Sequence, residues 1–387
     1  MFSFLLVISS PAVNCLNGSR CCSSKHSTST VAVSGLQACR QGNYYLTLNY
    51  CTCDPPSAQN WLSMSILLHK ADPDDALHAL ADKLAPRIRK AFLGALNRLK
   101  NRISLDDLAD AVKSGDVNQV LSMLALDQRF SDILNGKDSD SNIESFKDAL
   151  STTFIEGAAT ASTDLVPKLG FKLSFDLANP EATKFLDSYT FSSIKDISAN
   201  TREGIRSVIT NAFDSGGSPA EQARLIKSFI GLTDTQSKAV SNYRKALSSH
   251  NTLRSTLNRA LRDGRYDRSI HRAIRTSTGL KQSQIDTMTE RYQERYIAYR
   301  AMNIARSESL RASNKGQRAL WQQARQQGLL DHNVKRRWIV SGDSNTCEDC
   351  MSLDGVVVGL DDEFAPGILD PGDVHPDDRC SQGLVFN

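Results

Sequence analysis

A mainly α fold is predicted: an elongated multi-helix body, then a small C-terminal α/β or β-rich lobe stapled by a Cys/His cluster. Three observations predict it. After Met64, apolar residues recur at three- and four-residue steps over most of the chain, the period of a helix with one buried face. Helix-starting signatures such as Ser218-Pro219-Ala220-Glu221 punctuate that pattern. Beyond Trp338 the chain turns rich in Gly, Pro and Asp and holds Cys347, Cys350, His375 and Cys380 in a C-x2-C … H-x4-C arrangement.

The elements follow in order. Asp72-Pro73 reads as an N-cap and a proline at the first helical position. Leu77, Leu80, Leu84, Ile88, Phe92, Leu96 and Leu99 then form one apolar stripe, with Pro86 inside it predicting a kink or a break. Ser104 with Asp107 opens a second helix that Gly115 closes, and Asp116 caps a third carrying Val120, Leu121 and Leu124. Residues 135–145 are polar and turn-forming, a loop, while Thr152 to Phe175 shows a mixed pattern without an assignment. Asn179-Pro180 begins a helix with Phe185 and Leu186 inward. Thr201 caps the next, whose inner face is Ile205, Val208, Ile209 and Phe213, and Gly216-Gly217 breaks it. Ser218 starts a helix that Gly231 ends, and Thr233 with Gln236 starts another. The longest helical stretch runs from Lys281 to Gln327, with Ile285, Met288, Tyr292, Tyr296, Ile304, Leu310 and Leu320 inward. Gly316 is an interruption in it and Gly328 its C-terminal cap.

At 387 residues the chain is long enough for two or three domains. Residues 1–63 carry only four charged side chains, Arg20, Lys25, Arg40 and Asp54, but six of the nine cysteines. They read as an upstream extension of the reading frame or a disordered leader, with translation starting at Met64 and ordinary globular helix following at once. Three further segments are expected: an N-terminal helical region over 64–174, a helical core over 175–330, and the Cys/His lobe over 331–387. The opening MFSFLLVISS lacks a basic flank and is far shorter than the ~20 apolar residues of a membrane span, so no membrane partner is expected.

Charge is unevenly spread. Asn251 to Trp338 holds 19 Lys plus Arg against 7 Asp plus Glu, whereas Ile339 to Asn387 holds 11 acids and only Arg379 as a base. A basic helical segment running into an acidic lobe suits polyanion binding or docking by charge within an assembly. Arg291, Arg295, Arg300, Lys335, Arg336 and Arg337 are the candidate contacts to nucleic acid, with internal pairing to the acidic tail as the alternative for several of them.

Zinc takes four borderline or soft ligands in a tetrahedron, and a C-x2-C turn supplies two thiolates from one side. Cys347, Cys350, His375 and Cys380 are therefore the candidate ligands of a structural zinc ion; a lobe with half-buried thiols and no metal is the alternative. Catalytic constellations are poor. The chain has no P-loop, no G-x-S-x-G elbow and no H-E-x-x-H. A metal-dependent nuclease or DNA-binding effector using His375 and nearby Asp residues is the competing functional class, and it needs an open metal position.

The run Arg300 to Glu308 (RAMNIARSE), followed by Arg311-Ala312-Ser313-Asn314-Lys315-Gly316, resembles the "A-R-T-E, then x-N-x-G" helix of the Mu F-like phage head morphogenesis (minor capsid) proteins. In that family a tryptophan-bearing strand follows, then C-x2-C-x2-L-D-G, then a loop ending in H-P-x-C-R-C. The matching residues here are Trp338, Cys347 to Gly355, Phe364, and His375-Pro376-Asp377-Asp378-Arg379-Cys380. The first cysteine of the family's C-R-C is Asp378 in this chain, which makes Asp378 a reserve ligand. The resemblance extends from Phe175 to Asn387. It implies a non-enzymatic minor component of a tailed-phage or prophage head, acting in procapsid assembly and genome packaging or delivery. Implied partners are the portal and the capsid or scaffold proteins, with packaged double-stranded DNA touched through phosphates. The implied location is the procapsid interior or portal region of the virion, and the host cytoplasm during assembly.

Overall fold

The computed structural model describes residues 30–38, 44–52, 60–68, 73–137, 144–176, 180–215, 218–341, 346–375 and 378–386. It comprises two units, Met1–Asp72 and Pro73–Asn387. In the first, β1 (Thr30–Ala38), β2 (Tyr44–Thr52) and β3 (Asn60–Leu68) form an antiparallel sheet in the order β1-β2-β3. Leu48 lies opposite Val33 on one side and Met64 on the other. Strand β3 thus runs across Met64, and helix begins at Pro73 rather than directly after Met64.

The second unit is helical to its last sixty residues. Its helices are α1 (Pro73–Arg102), α2 (Leu105–Lys113), α3 (Val117–Leu124), α4 (Leu126–Leu134), α5 (Phe146–Leu169) and α6 (Pro180–Ser215). They continue as α7 (Pro219–Phe229), α8 (Asp234–Ser248), α9 (Leu253–Thr256), α10 (Asp267–Arg275) and α11 (Gln282–Gln326). Then come β4 (Lys335–Ile339), the short α12 (Glu348–Leu353), β5 (Val357–Gly359) and β6 (Ser381–Val385). The mainly α fold with a small C-terminal sheet beside a Cys/His cluster is the one expected.

Local chemistry sets the helix ends. Ser104 accepts from the Asp107 amide and Asp116 from that of Asn118, each satisfying a donor that the helix leaves unpaired. Ser145 with Asp148, Ser218 with Glu221 and Thr233 with Gln236 form reciprocal capping boxes. The first of these launches α5 through the stretch left unassigned from sequence. Its pattern is hard to read because small residues, Gly157, Ala158 and Ala161, stand between the large apolar Phe154 and Leu165 on its contact face.

Three expectations are corrected. Helix α1 does not break at Pro86 but continues through it; the proline is exposed, so the carbonyl it orphans can be solvated. Thr201 caps nothing: α6 is continuous across it, and its buried Oγ1 donates to the Ile197 carbonyl one turn back. Gly316 does not interrupt α11. A Cβ there would lie 1.9 Å from the Phe154 carbonyl oxygen, and one at Gly157 would lie 2.4 Å from that of Ser313, so the two glycines let α5 and α11 touch backbone to backbone. Phe185, Leu186, Gly216, Gly217 and residues 138–143 lie outside the described residues or side chains.

The main core gathers the α1 stripe (Ile88, Phe92, Leu96, Leu99) with Phe130, Phe146, Ile205, Ile226, Val240 and Tyr292. The second half of α11 is buried on every side, from Glu308 to Trp321, including Asn314, Lys315 and Arg318. One flank meets α5; another carries the C-terminal lobe. In the lobe, β4 is the central strand of an antiparallel sheet ordered β5-β4-β6, with Trp338 opposite Gln382 and Arg336 opposite Leu384.

Candidate metal centre and its ionic mounting

Cys347 is the N-cap of α12. Its Sγ accepts from the Cys350 amide at 3.3 Å, which draws both thiols of the C-x2-C turn to one side. The His375 Nε2 lies 3.1 Å from Cys347 Sγ and 3.5 Å from Cys350 Sγ. Cys350 also donates to Asp378 Oδ1 at 3.7 Å. For Zn–S and Zn–N bonds of about 2.3 and 2.0 Å, the edges of a ligand tetrahedron are about 3.5–3.8 Å, so these separations suit a common ion.

The ligands assemble as two overlapping triads. Cys347, Cys350 and His375 make one, and Cys350, Asp378 and Cys380 the other; within each, the ligand atoms lie within 4.8 Å of one another. Cys350 is shared. Asp378 has its own work: Oδ2 accepts from the Gly372 amide and Oδ1 from the Cys380 amide, both at 2.8 Å, which ties down the loop before β6. Both triads line a cavity of about 400 Å³ whose other wall includes His78, Asp82, Arg306 and Ser309. His78 Nε2 bonds the Arg379 carbonyl at 2.7 Å, so α1 also holds this loop.

Electrostatics divide the thiols. The Cys350 amide, and then His375, pull the Cys347 thiol below its ordinary range, toward the thiolate that ligates metal. Burial, and then the Asp378 carboxylate, push Cys350 up to about 12 and raise Cys380 as well. A bound cation would supply the positive charge that this buried sulfur pair lacks.

The lobe is mounted on α11 by charge. Asp370, fully buried, receives Arg318 Nε at 2.7 Å, Lys315 Nζ at 3.1 Å and Arg336 at 3.2 Å. Burial alone would raise its carboxyl, but Lys315, Arg318 and Arg336 hold it below the usual range. Gln382 Nε2 donates to Asp370 and to the Asn314 carbonyl, and Asn314 Nδ2 donates to the Cys380 carbonyl at 3.3 Å. Arg311 donates to the Gly372 carbonyl. Arg336 also lies over the Phe364 ring, 4.5 Å from its centroid, and Phe364 meets Trp338 edge-on at 5.0 Å.

Burial changes the nucleic-acid set. Arg300 is enclosed, donating to Thr201 Oγ1 and to the Gly231 and Ile197 carbonyls, and burial lowers it to about 10. Arg336 is fully buried on Asp370 and Gln382. Neither side chain can reach a phosphate. Arg291 is exposed but paired with Glu294, and Arg295 with Asp263 and the Arg262 carbonyl. Lys335 and Arg337 are exposed on alternate positions of β4. Sequence reasoning missed Asp370, Lys315, Arg318 and Gln382. The available signal was a pair of cations three residues apart on α11, spaced among the small residues Ala312, Gly316 and Ala319, where a buried acid partner is required.

The fold and site define a helical protein whose last long helix carries a small Cys/His lobe. Residues 251–382, about a third of the chain, match the family model for phage Mu protein F like protein, and over that stretch the chain is similar to that family. The Mu F-like family is a structural phage head family. The match starts well beyond Phe175 and encompasses α10, α11 and almost all of the lobe. No curated protein and no solved structure matches the chain. Among the described residues, no helix is long and apolar enough to cross a membrane.

Proposed function

We propose that the protein is a minor head component of a tailed phage or prophage, acting in procapsid assembly and in genome packaging or delivery at the portal. Its partners are then the portal and the capsid or scaffold proteins, and its place is the procapsid interior or portal region after assembly in the host cytoplasm. One observation carries the reading: the Mu F-like match falls on the part of the chain in which a long helix and a thiol-bearing lobe are joined by buried hydrogen bonds and ion pairs. In that unit Asn314 and Gly316, the polar and small residues of the family-like helix motif, have separate duties. Asn314 holds the Cys380 carbonyl, and Gly316 admits α5.

The lobe's metal would be a structural zinc ion on Cys347, Cys350 and His375, closed by Cys380. Asp378 is the weaker fourth donor because both its oxygens already accept backbone amides. The nuclease alternative loses support for a related reason. Asp370, Asp373 and Asp378 are spent on Lys315, Arg318, Arg336 and loop amides rather than left open for a hard cation.

Procapsids isolated from producing cells test both parts. The chain should sediment with them, with about one zinc per copy, and Cys347→Ser should abolish the zinc. Absence of the chain from procapsids would overturn the head role, whereas incorporation without zinc would overturn only the metal.

A further inference from the structure

We propose that the outer face of α10, formed by Arg268, His271, Arg272 and Arg275, binds the phosphate backbone of double-stranded DNA. The choice of DNA as the polyanion rests on the head-protein reading; the surface itself rests on the structure. From Asn251 to Arg275 the chain has seven arginines, no lysine and only two acids, Asp263 and Asp267. Both acids are consumed, Asp263 by Arg265 and Arg295, and Asp267 by Arg262.

What remains is one-sided. Helix α10 buries Ile270 and Ala273 in the main core. Arg268, His271, Arg272 and Arg275 stand at steps of three and four on the opposite, exposed face. Among the described residues, the three guanidinium groups have no hydrogen-bond or ion-pair partner, in contrast to the paired Arg291 and Arg295. Seven residues of helix span about 10 Å, the length along the axis of about three phosphates of one DNA strand. Arginine is also the side chain whose planar fork fits phosphate oxygens in pairs.

A second copy's acidic lobe is the competing partner for such a face, with Glu348, Asp349 and Asp354 exposed on it but several other acids committed. Asp361, Asp370, Asp373 and Asp378 are already engaged within their own chain. The residues read from sequence as DNA contacts lay on α11 and β4, and the surface now falls on the helix before them. Its signal in the sequence was arginine spacing, obscured because all seven arginines were counted into one long basic segment.

Fluorescence anisotropy of the full chain on a mixed-sequence 30-base-pair duplex, across a salt series, tests the proposal. Changing Arg268, Arg272 and Arg275 together to Gln should weaken binding about tenfold or more at low salt. The slope of log affinity against log salt should fall by about 3, near 0.9 per lost phosphate contact. Lys335→Gln with Arg337→Gln should bind like the unaltered chain. Circular dichroism establishes that the α10 variant is folded, and Arg272→Gln alone provides the reading if it is not. An α10 variant that binds DNA normally overturns the surface. So does a loss of self-association by sedimentation with DNA affinity intact, which would instead assign the face to an acidic protein partner. An unaltered chain that ignores DNA at low salt overturns the inference, yet leaves the head role to the procapsid experiment.

Discussion

The helical body and the C-terminal lobe are held together by different physics. In the body, each helix lays an apolar stripe into a core shared by Ile88, Phe92, Phe130, Ile226, Val240 and many others, so that no single contact is decisive. The lobe's own apolar core is Trp338, Cys350, Leu353, Phe364 and Cys380, with a few half-buried neighbours. Its hold on α11 is mainly polar and centres on Asp370, which meets Lys315 and Arg318 of α11 and Arg336 of β4, with Lys315–Asp373, Arg325–Asp361 and the Asn314 bonds beside it. Distributed adhesion tolerates substitution; concentrated adhesion does not. The comparison therefore predicts opposite responses to mutation in the two regions, with one exception in the body.

The body's exception is the place where backbone meets backbone. Gly316→Val would put a Cβ 1.9 Å from the Phe154 carbonyl oxygen, and a main-chain atom cannot rotate away as a side chain can. Helices α5 and α11 must separate, uncovering Ala158, Ala161, Leu320 and Trp321. The expected cost is about 4 kcal/mol or more, read as a collapse of the thermal midpoint or as insoluble protein. By contrast Ile88→Val, in the middle of the largest core, should cost only about 0.5–1.5 kcal/mol. A stable Gly316→Val protein would mean that the two helices are not in contact as described.

In the lobe the largest single effect should come from Asp370→Asn. Lys315, Arg318 and Arg336 would keep their buried charges and lose their counter-ion, a change that costs about 3–5 kcal/mol for a buried pair. The damage should be local. Hydrogen exchange ought to lose protection across 335–341 and 378–386, while α1, α6 and α8 keep theirs. Uniform loss through the whole unit would show that lobe and body are one cooperative block, and unchanged protection would deny the ion cluster its role.

The same division explains what could be read in advance. Periodicity exposes a helix that buries apolar residues, so the α1 stripe and the inner faces of α3, of the second half of α6 and of α11 were legible, as were caps made by Ser, Thr and Asp. Periodicity failed on α5, where Gly157, Ala158 and Ala161 interrupt the large apolar residues of the contact face. It also failed at Thr201 and Gly316, residues that usually mark helix ends but here serve packing inside long helices. The thiols and His375 were legible because ligand spacing is local. Asp370 was not, because its value lies in three cations 34 to 55 residues away in the chain. A sequence states such a residue only as one acid among eleven.

The smallest expected effect concerns pH, and it separates the two adhesives most directly. Lys315, Arg318 and Arg336 hold the Asp370 carboxyl below the range it has in an unfolded chain, despite burial that opposes them. A carboxyl depressed on folding adds stability above its unfolded value of about 3.9, and that contribution disappears as pH falls through the lower folded value. With chelator present, so that no metal contributes, docking of the lobe should therefore be level from pH 7 to about 5 and weaken only below about 4. Proteolysis of residues 335–386 by an acid-active protease, followed over that range, checks it. Apolar burial in the body has no such titration, so body fragments should persist after the lobe begins to be cut. Loosening already at pH 6 in chelated protein would mean that a group other than Asp370 governs the junction, and the ionic mounting would no longer account for how the lobe is held.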